Sequence, residues 1–583
     1  MSGEATAGTA PPSGGGTEQE NAAEAVAYLD LLLSDAALGV LRRFAPGGFA
    51  GRLGLGLARR PRAVAGRVGG LAGELGSIAA GRSDIAPDRR DRRFADPAWT
   101  SNPVLRRVMQ AYLAGGEFAT SLVADARLEG ADAERARFVV GNLIDALAPS
   151  NNPLLSPAAW KAVIDTGGLS AVRGLRAFAA DMAEPPRIPS MVDPAAFEVG
   201  RDLAVTPGAV VRRTEICELI QYWPATPQVH RFPLVIVPPM INKFYITDLA
   251  PGRSMIEYLA GQGFQVFVIS WRNPDARHRD WGLDAYGQAI VSALSAARTI
   301  CGAEQASIVS LCSGGIASAM VAAHLASTGA GAEPGSGGLA SLFCGVTMLD
   351  SPGAAGAPGP AALASQRILD RAVAASRSRG YLDGRALAEV FAWLRPNDLI
   401  WNYWVNNYLL GRPPQPFDIL YWNADTTRMT AALHADFIRL FSARALAKPG
   451  AAAMLGTPVD LSAVTADAYV VAGIADHLCP WEGCYASAQL LGGDVRFALS
   501  TSGHIACMVN PPDNPKARFR AAPVSGSAPD WLAATPEGPG SWWADYASWA
   551  AERGGGTKDA PDALGGNGFT PSDPAPGRYV LDR

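Results

Sequence analysis

Cys312 stands in the run Ile308-Val309-Ser310-Leu311-Cys312-Ser313-Gly314-Gly315-Ile316. A β-branched apolar segment leads into it, and Ala317 to Ala326, rich in alanine and free of proline, reads as a helix. Strand, tight turn, helix with a nucleophile at the apex is a nucleophile elbow, and the chemistry it serves is attack on an acyl carbon. The turn forces strained backbone on the apex residue, so the positions two residues away must be small. Gly314 meets that demand, and Ser310 stands where the pattern usually has glycine. The competing reading is a buried structural cysteine in a glycine-rich turn.

Two later loops supply partners for a thiol. Asp476 lies in Ile474-Ala475-Asp476-His477-Leu478-Cys479-Pro480-Trp481, and His504 in Ser500-Thr501-Ser502-Gly503-His504-Ile505. Each follows a strand-like segment, at the strand end where open α/β sheets build their sites. The chain order nucleophile, acid, histidine is that of α/β-hydrolases. His504 can take the thiol proton, and Asp476 can hold the imidazole tautomer and stabilise its cation. The oxyanion is expected to meet the N–H of Ser313 and one from the loop after Pro238-Pro239, near Met240 and Ile241. His477 is a rival base and Asp350, ending its own strand, a rival acid; chain order favours Asp476 and His504.

The surrounding elements must hold these loops at one edge. Phe232 to Val237, Gly263 to Ser270, Ala306 to Leu311, Leu342 to Leu349, Ala468 to Gly473 and Val495 to Leu499 read as strands, and Ala209 to Trp223 as one more. Ile290 to Thr299 reads as a crossover helix. This alternation predicts a mainly parallel sheet with right-handed crossovers. It breaks at 351–455, read as an insertion over the sheet, containing the aromatic stretch Phe391, Trp393, Trp401, Trp404 and Tyr408. That stripe reads first as packing and second as the wall of an acyl site. Residues 1–21 read as a disordered tail. Residues 22–195 read as a helical N-terminal domain, with Val26, Leu29, Leu32 and Leu33 at helical spacing near its start and helices at Val64 to Ala80, Pro103 to Gly115, Ala131 to Leu147 and Pro157 to Ala180. Residues 196–583 then form the catalytic domain. The charge run Asp88 to Arg93 reads as a solvated, self-paired face.

Composition bounds the function. At 583 residues the chain needs more than one core, and 48% hydrophobic with 18% charged residues describes a folded chain. A net charge of −4 gives no global attraction to nucleic acid. Seven cysteines without metal or paired spacing, and no visible signal peptide, suggest reduced cytoplasmic thiols. No apolar stretch is long enough for a transmembrane segment, and no metal or cofactor motif is found.

The chain resembles bacterial polyhydroxyalkanoate (PHA) synthases. The resemblance rests on Ile236–Tyr245, Ser270-Trp271-Arg272-Asn273-Pro274, Cys312-Ser313-Gly314-Gly315, Leu394–Tyr403, Asp476-His477, Gly503-His504-Ile505 and Asn510-Pro511-Pro512. Phe94-Ala95-Asp96-Pro97-Ala98-Trp99 and Ala148-Pro149-Ser150-Asn151 are similar to the family's helical domain. Asp280-Trp281-Gly282-Leu283, Trp404 to Leu410 and Asn514 to Phe519 resemble the single-subunit, medium-chain branch. The resemblance implies an α/β-hydrolase fold with a cap insertion and transfer of (R)-3-hydroxyacyl groups from coenzyme A to a growing polyester. It places catalysis on Cys312, Asp476 and His504, with no cofactor. It also implies a homodimer when active, and work at the polyester granule surface alongside granule-associated proteins. Ser313 and Ile241 are the expected oxyanion donors. Met240, Leu311, Phe391, Trp393 and Tyr408 are the expected substrate-binding residues. A thioesterase, an intracellular depolymerase of the same fold or a non-catalytic granule protein are the alternatives.

Overall fold

The computed structural model describes residues 48–89, 91–128, 130–329, 338–350, 360–476 and 478–583, with 34, 36–39 and 44. The expected tail 1–21, most of the first helix with Val26, Leu29, Leu32 and Leu33, the start of the insertion at 351–359 and His477 lie outside the described residues.

A ten-stranded sheet organises the chain. Its central strands, Val266–Trp271, Leu234–Val237, Ala306–Leu311, Leu339–Gly345, Ala468–Gly473 and Val495–Ser500, are adjacent in that order and parallel. Val266–Trp271, Ala306–Leu311 and Ala468–Gly473 are buried along their whole length. Burial on both faces explains why they read as continuous apolar runs rather than alternating ones. The segment 209–223, expected as one strand, is a hairpin of Gly208–Arg213 and Cys217–Tyr222, antiparallel at one edge. Its turn at Thr214-Glu215-Ile216 carries no glycine or proline to announce it. Arg518–Pro523 and Gly538–Pro539 add an antiparallel edge at the other side that sequence reading left out.

Strand Leu234–Val237 sits between Val266–Trp271 and Ala306–Leu311, so the chain winds first to one side and then to the other. The switch point lies between Leu234–Val237 and Ala306–Leu311, the place where open α/β sheets open a crevice. The loop after Val237 and the turn after Leu311 therefore face each other. Helix Leu283–Cys301 crosses between the halves and stops at Gly302, whose φ of +57° supplies the left-handed cap.

Among the described residues nine helical segments from Gly48 to Ala183 precede the sheet, including Pro61–Ala79, Pro103–Asp125, Gly130–Ala146, Pro157–Asp165 and Leu169–Ala183. Helix Pro103–Asp125 starts cleanly because Asn102 accepts the N–H groups of Val104 and Leu105, with Pro103 in the first turn. The charge run is only partly solvated. Arg93 pairs with Asp91 as expected, but also turns inward to Asp145 and donates to the Tyr112 hydroxyl.

Between Leu339–Gly345 and Ala468–Gly473 the chain leaves the sheet and forms helices Pro360–Arg379, Gly384–Leu394, Asp418–Ala424 and Ala431–Ala443, with two wide turns at Asn397–Trp401 and Trp404–Leu409. Among the described residues no helix is long and apolar enough to cross a membrane.

Candidate active site

Cys312 occupies the apex between strand Ala306–Leu311 and helix Ser313–Thr328 at φ +50° and ψ −120°. Such backbone costs a non-glycine residue about 1–3 kcal/mol and persists only where its surroundings hold it. The Cys312 N–H donates to the Gly345 carbonyl at 2.9 Å. A Cβ on Gly314 would stand 2.5 Å from the carbonyl oxygens of Val237 and Pro238, so the helix side of the turn requires glycine. On the strand side Ser310 fits without loss: its buried hydroxyl donates to the Phe343 carbonyl at 2.6 Å.

The acid and the base come from adjacent parallel strands. Asp476 follows Ala468–Gly473, and His504 opens the short helix His504–Met508 after Val495–Ser500. Their shared register places His504 Nδ1 2.7 Å from Asp476 Oδ2. The other carboxylate oxygen accepts the N–H groups of Leu478 and Cys479, at 2.8 and 3.0 Å, which fixes the acid's orientation. His504 and Cys312 line the same cavity, and each shifts the ionisation of the other.

The electrostatics follow from these contacts. The Cys312 thiol is held well below its ordinary value, first by a hydrogen bond from Cys479, against the cost of burial, and then by His504 and the Ser313 N–H. Burial pushes His504 down, but the Asp476 carboxylate and the Cys312 sulfur outweigh it and raise the imidazole to about 10. Both displacements favour a thiolate beside an imidazolium over the neutral pair. Cys479 was not among the expected site residues. Its presence beside Asp476 in sequence was the one available signal.

The rival acid has another partner. Asp350 is bound by Arg444, whose Nε donates to it at 2.8 Å. His477 lies outside the described residues.

Ser313 and Ile241, the expected oxyanion donors, line a cavity of about 390 Å³ together with Cys312 and His504. The Met240 N–H, beside them, donates instead to the Ser313 hydroxyl at 3.0 Å. The loop that carries Ile241 is tied to the insertion: Lys243 pairs with Asp425 at 2.8 Å, the Tyr245 hydroxyl donates to the same carboxylate at 3.0 Å, and Trp422 Nε1 donates to the Lys243 carbonyl at 2.7 Å. None of these three braces was legible from spacing.

Beyond the sulfur the cavity wall is apolar, with Leu387, Phe391, Ile419, Phe437 and Phe441 from the insertion. Of the expected substrate-binding residues Phe391 lies on this wall and four do not. Met240 and Leu311 are buried in the two hydrophobic cores. Trp393 packs edge-on against Phe44, and Tyr408 packs against Phe178 and donates its hydroxyl to Asp181 at 2.7 Å. Much of the aromatic stripe thus seats the N-terminal helices. A Cβ on Gly174 would be 1.9 Å from the Tyr408 carbonyl oxygen, so only glycine allows helix Leu169–Ala183 to lie this close.

Asp476, Cys479 and His504 each place a donor atom within 4.8 Å of the others, a spacing a metal ion could use. Asp476 and His504 already satisfy each other there, which makes hydrogen bonding the sufficient reading of the cluster.

Comparison with known proteins places the chain in a family. Residues 90–259 match the family model described as the N-terminus of poly-beta-hydroxybutyrate polymerase (PhaC), and residues 234–511 match the alpha/beta hydrolase fold. The chain is 46% identical to poly(3-hydroxyalkanoate) polymerase 2 of Ectopseudomonas oleovorans over 86% of this chain and 88% of that one. Polymerase 1 of the same organism is 43% identical over the same shares. The polymerase subunit PhaC of Cupriavidus necator is 37% identical over 84% of this chain and 83% of its own. With an α/β-hydrolase sheet behind a helical N-terminal region and relatives matched over most of their length, the chain belongs to the poly(3-hydroxyalkanoate) polymerase family.

Proposed function

We propose that the protein polymerises (R)-3-hydroxyacyl-coenzyme A into polyester through a thioester on Cys312, with His504 and Asp476 as base and acid. The observation that carries this is Cys312 on a strained elbow beside a His504 bonded to Asp476, both lining one apolar cavity. The Cys312 thiolate attacks the thioester carbonyl, and the developing oxyanion meets the N–H groups of Ser313 and Ile241. Collapse breaks the carbon–sulfur bond to coenzyme A, whose thiolate takes the proton from His504. One thioester replaces another, so the acyl group stays activated.

Acylation removes the thiolate that helped to hold the proton on His504. The imidazole is then free to deprotonate the hydroxyl of a second monomer or chain end as that oxygen attacks the acyl carbon. Asp476 stabilises the imidazolium that results. The insertion, braced to the oxyanion loop through Lys243 and Asp425, covers the site and keeps water from competing.

The helical N-terminal region, about 22–195, serves as the attachment unit. Leu147, Leu154, Ile164, Leu169 and Leu175 are exposed on it, an apolar face suited to the polyester granule surface. Two copies pair when active. Seven unpaired thiols support a reducing, cytoplasmic setting.

The purified protein is given 3-hydroxybutyryl-coenzyme A and a medium-chain 3-hydroxyacyl-coenzyme A in one tube, following thiol release and insoluble polymer. The expected result is polymer enriched in the medium-chain monomer, because each further buried methylene adds about 0.8 kcal/mol in an apolar cavity. Thiol release with free acid and no polymer defeats the polymerase reading. Polymer made mainly of 3-hydroxybutyrate overturns the chain-length preference alone.

A further inference from the structure

We propose that Cys479 is a positioning residue for the reaction, its S–H donating a hydrogen bond to the Cys312 sulfur so that a second thiol, as well as His504, holds the nucleophile ionised. This rests on Cys312 being the nucleophile.

Three features place it there. Cys479 and Cys312 line the same cavity, from loops that follow two different strands. The Cys479 sulfur lies within 4.8 Å of both a His504 ring nitrogen and an Asp476 oxygen, at the centre of the site rather than on its rim. Its backbone is fixed by the site as well: the Cys479 N–H caps Asp476 Oδ1 at 3.0 Å, and its carbonyl accepts the Cys484 thiol at 3.7 Å from helix Trp481–Ala488. One residue therefore orients the acid with its main chain and places its sulfur beside His504 in the cavity that Cys312 lines.

The chemistry of a buried thiolate requires such donors. Taking the charge out of water is costly unless hydrogen bonds replace the lost hydration. His504 and the Ser313 N–H provide two, and an S–H bonded to a full negative charge gains the strength of a charge-assisted bond that it lacks toward a neutral acceptor. A donor in this role keeps its own proton. The two thiols are displaced in opposite directions: Cys312 is lowered, and Cys479 is raised well above its ordinary value, first by its bond to Cys312 and then by burial. Two thiols in one cavity thus remain unequal, one a nucleophile and the other a donor that does not compete for acyl groups.

The test is the pH dependence of iodoacetamide alkylation at each cysteine, read by peptide mass spectrometry on the full chain. In Cys479→Ala, alkylation of Cys312 is expected to titrate at higher pH and to be about tenfold slower below that point, the effect of losing one charge-assisted hydrogen bond. Cys479→Ser, which restores a donor, is expected to recover most of the wild-type profile. A merely structural contact would not produce that rescue. Should Cys479→Ala fold poorly, the reciprocal measurement decides: in Cys312→Ala, Cys479 is expected to become alkylatable at lower pH than in the wild type. A Cys312 profile in Cys479→Ala that superimposes on the wild type, or a Cys479 profile unmoved by Cys312→Ala, overturns the proposal. Coenzyme A release retained in Cys312→Ala would instead overturn the nucleophile assignment, a separate result.

Discussion

The backbone N–H of Met240 donates to the side-chain hydroxyl of Ser313 at 3.0 Å, which ties the loop after Val237 to the residue that follows Cys312. The same bond occupies the Met240 N–H, while Ile241 and Ser313 line the cavity beside it. Removing the hydroxyl strands a buried donor, at a cost of about 1–3 kcal/mol. Ser313→Ala is therefore expected to lower the melting temperature by a few degrees and to slow coenzyme A release at least severalfold, since the loop loses its link to the elbow. Thermal unfolding and thiol-release kinetics check this; a variant with wild-type kinetics would show that the link does not set the oxyanion donors.

The three reacting side chains should separate by step. Cys312→Ala is expected to abolish coenzyme A release, a loss of about 10⁴-fold or more. His504→Gln should block acylation and elongation together. Asp476→Asn should slow elongation more than the first acylation, because the cysteine–histidine pair can form thiolate with less help than a hydroxyl nucleophile needs. Acyl-enzyme trapped in the Asp476→Asn variant, seen by intact mass, is the expected signature. Equal loss of both steps would remove the separate role of the acid.

The thiolate–imidazolium pair sets a pH window for stability. His504 is raised from 6.5 to about 10, so its contribution is fully present below 6.5 and is lost as pH rises through about 10. Cys312 is lowered well below 9.0, so its contribution is fully present above 9.0 and is lost as pH falls through the lowered value. At pH values above both 6.5 and the lowered Cys312 value, and up to 9.0, the folded pair holds one proton on His504 and the unfolded pair one on Cys312, so the two dependences cancel. Subtracting the melting temperatures of Cys312→Ala/His504→Gln from those of the wild type should give a plateau over that window, falling on either side. A difference that rises or falls steadily across the window would contradict the paired ionisation.

The contact between Gly174 and the Tyr408 carbonyl gives a direct probe of the helical region. Gly174→Ala forces a methyl against backbone that cannot yield, an overpacking worth about 1–3 kcal/mol, and should loosen helix Leu169–Ala183 from the wide turn Trp404–Leu409. Limited proteolysis near 184–200 should speed up, with lower specific activity and weaker granule binding. Deleting 1–21 should change none of these. A fragment 196–583 with full activity and normal granule binding would refute the attachment role.

The sequence by itself determined the local grammar of this protein. Strands Ala306–Leu311 and Ala468–Gly473 were legible to the residue, because buried parallel strands are uninterrupted apolar runs with sharp ends. The elbow was legible because its strain excludes large neighbours, and the order of Cys312, Asp476 and His504 because chain order is a property of the sequence. What the tertiary structure decided was which side chains meet. Cys479 reaches Cys312 only because the strands bearing their loops stand one strand apart in the sheet, with Leu339–Gly345 between them. Lys243 finds Asp425 across the chain from the insertion. Trp393 and Tyr408 carry the same aromatic signature as Phe391, yet they face Phe44 and Phe178 while Phe391 faces the cavity. Hydrophobicity states that a ring will be buried, not against what; the partner is set by the path of the backbone, which close packing fixes only once all the layers are in place.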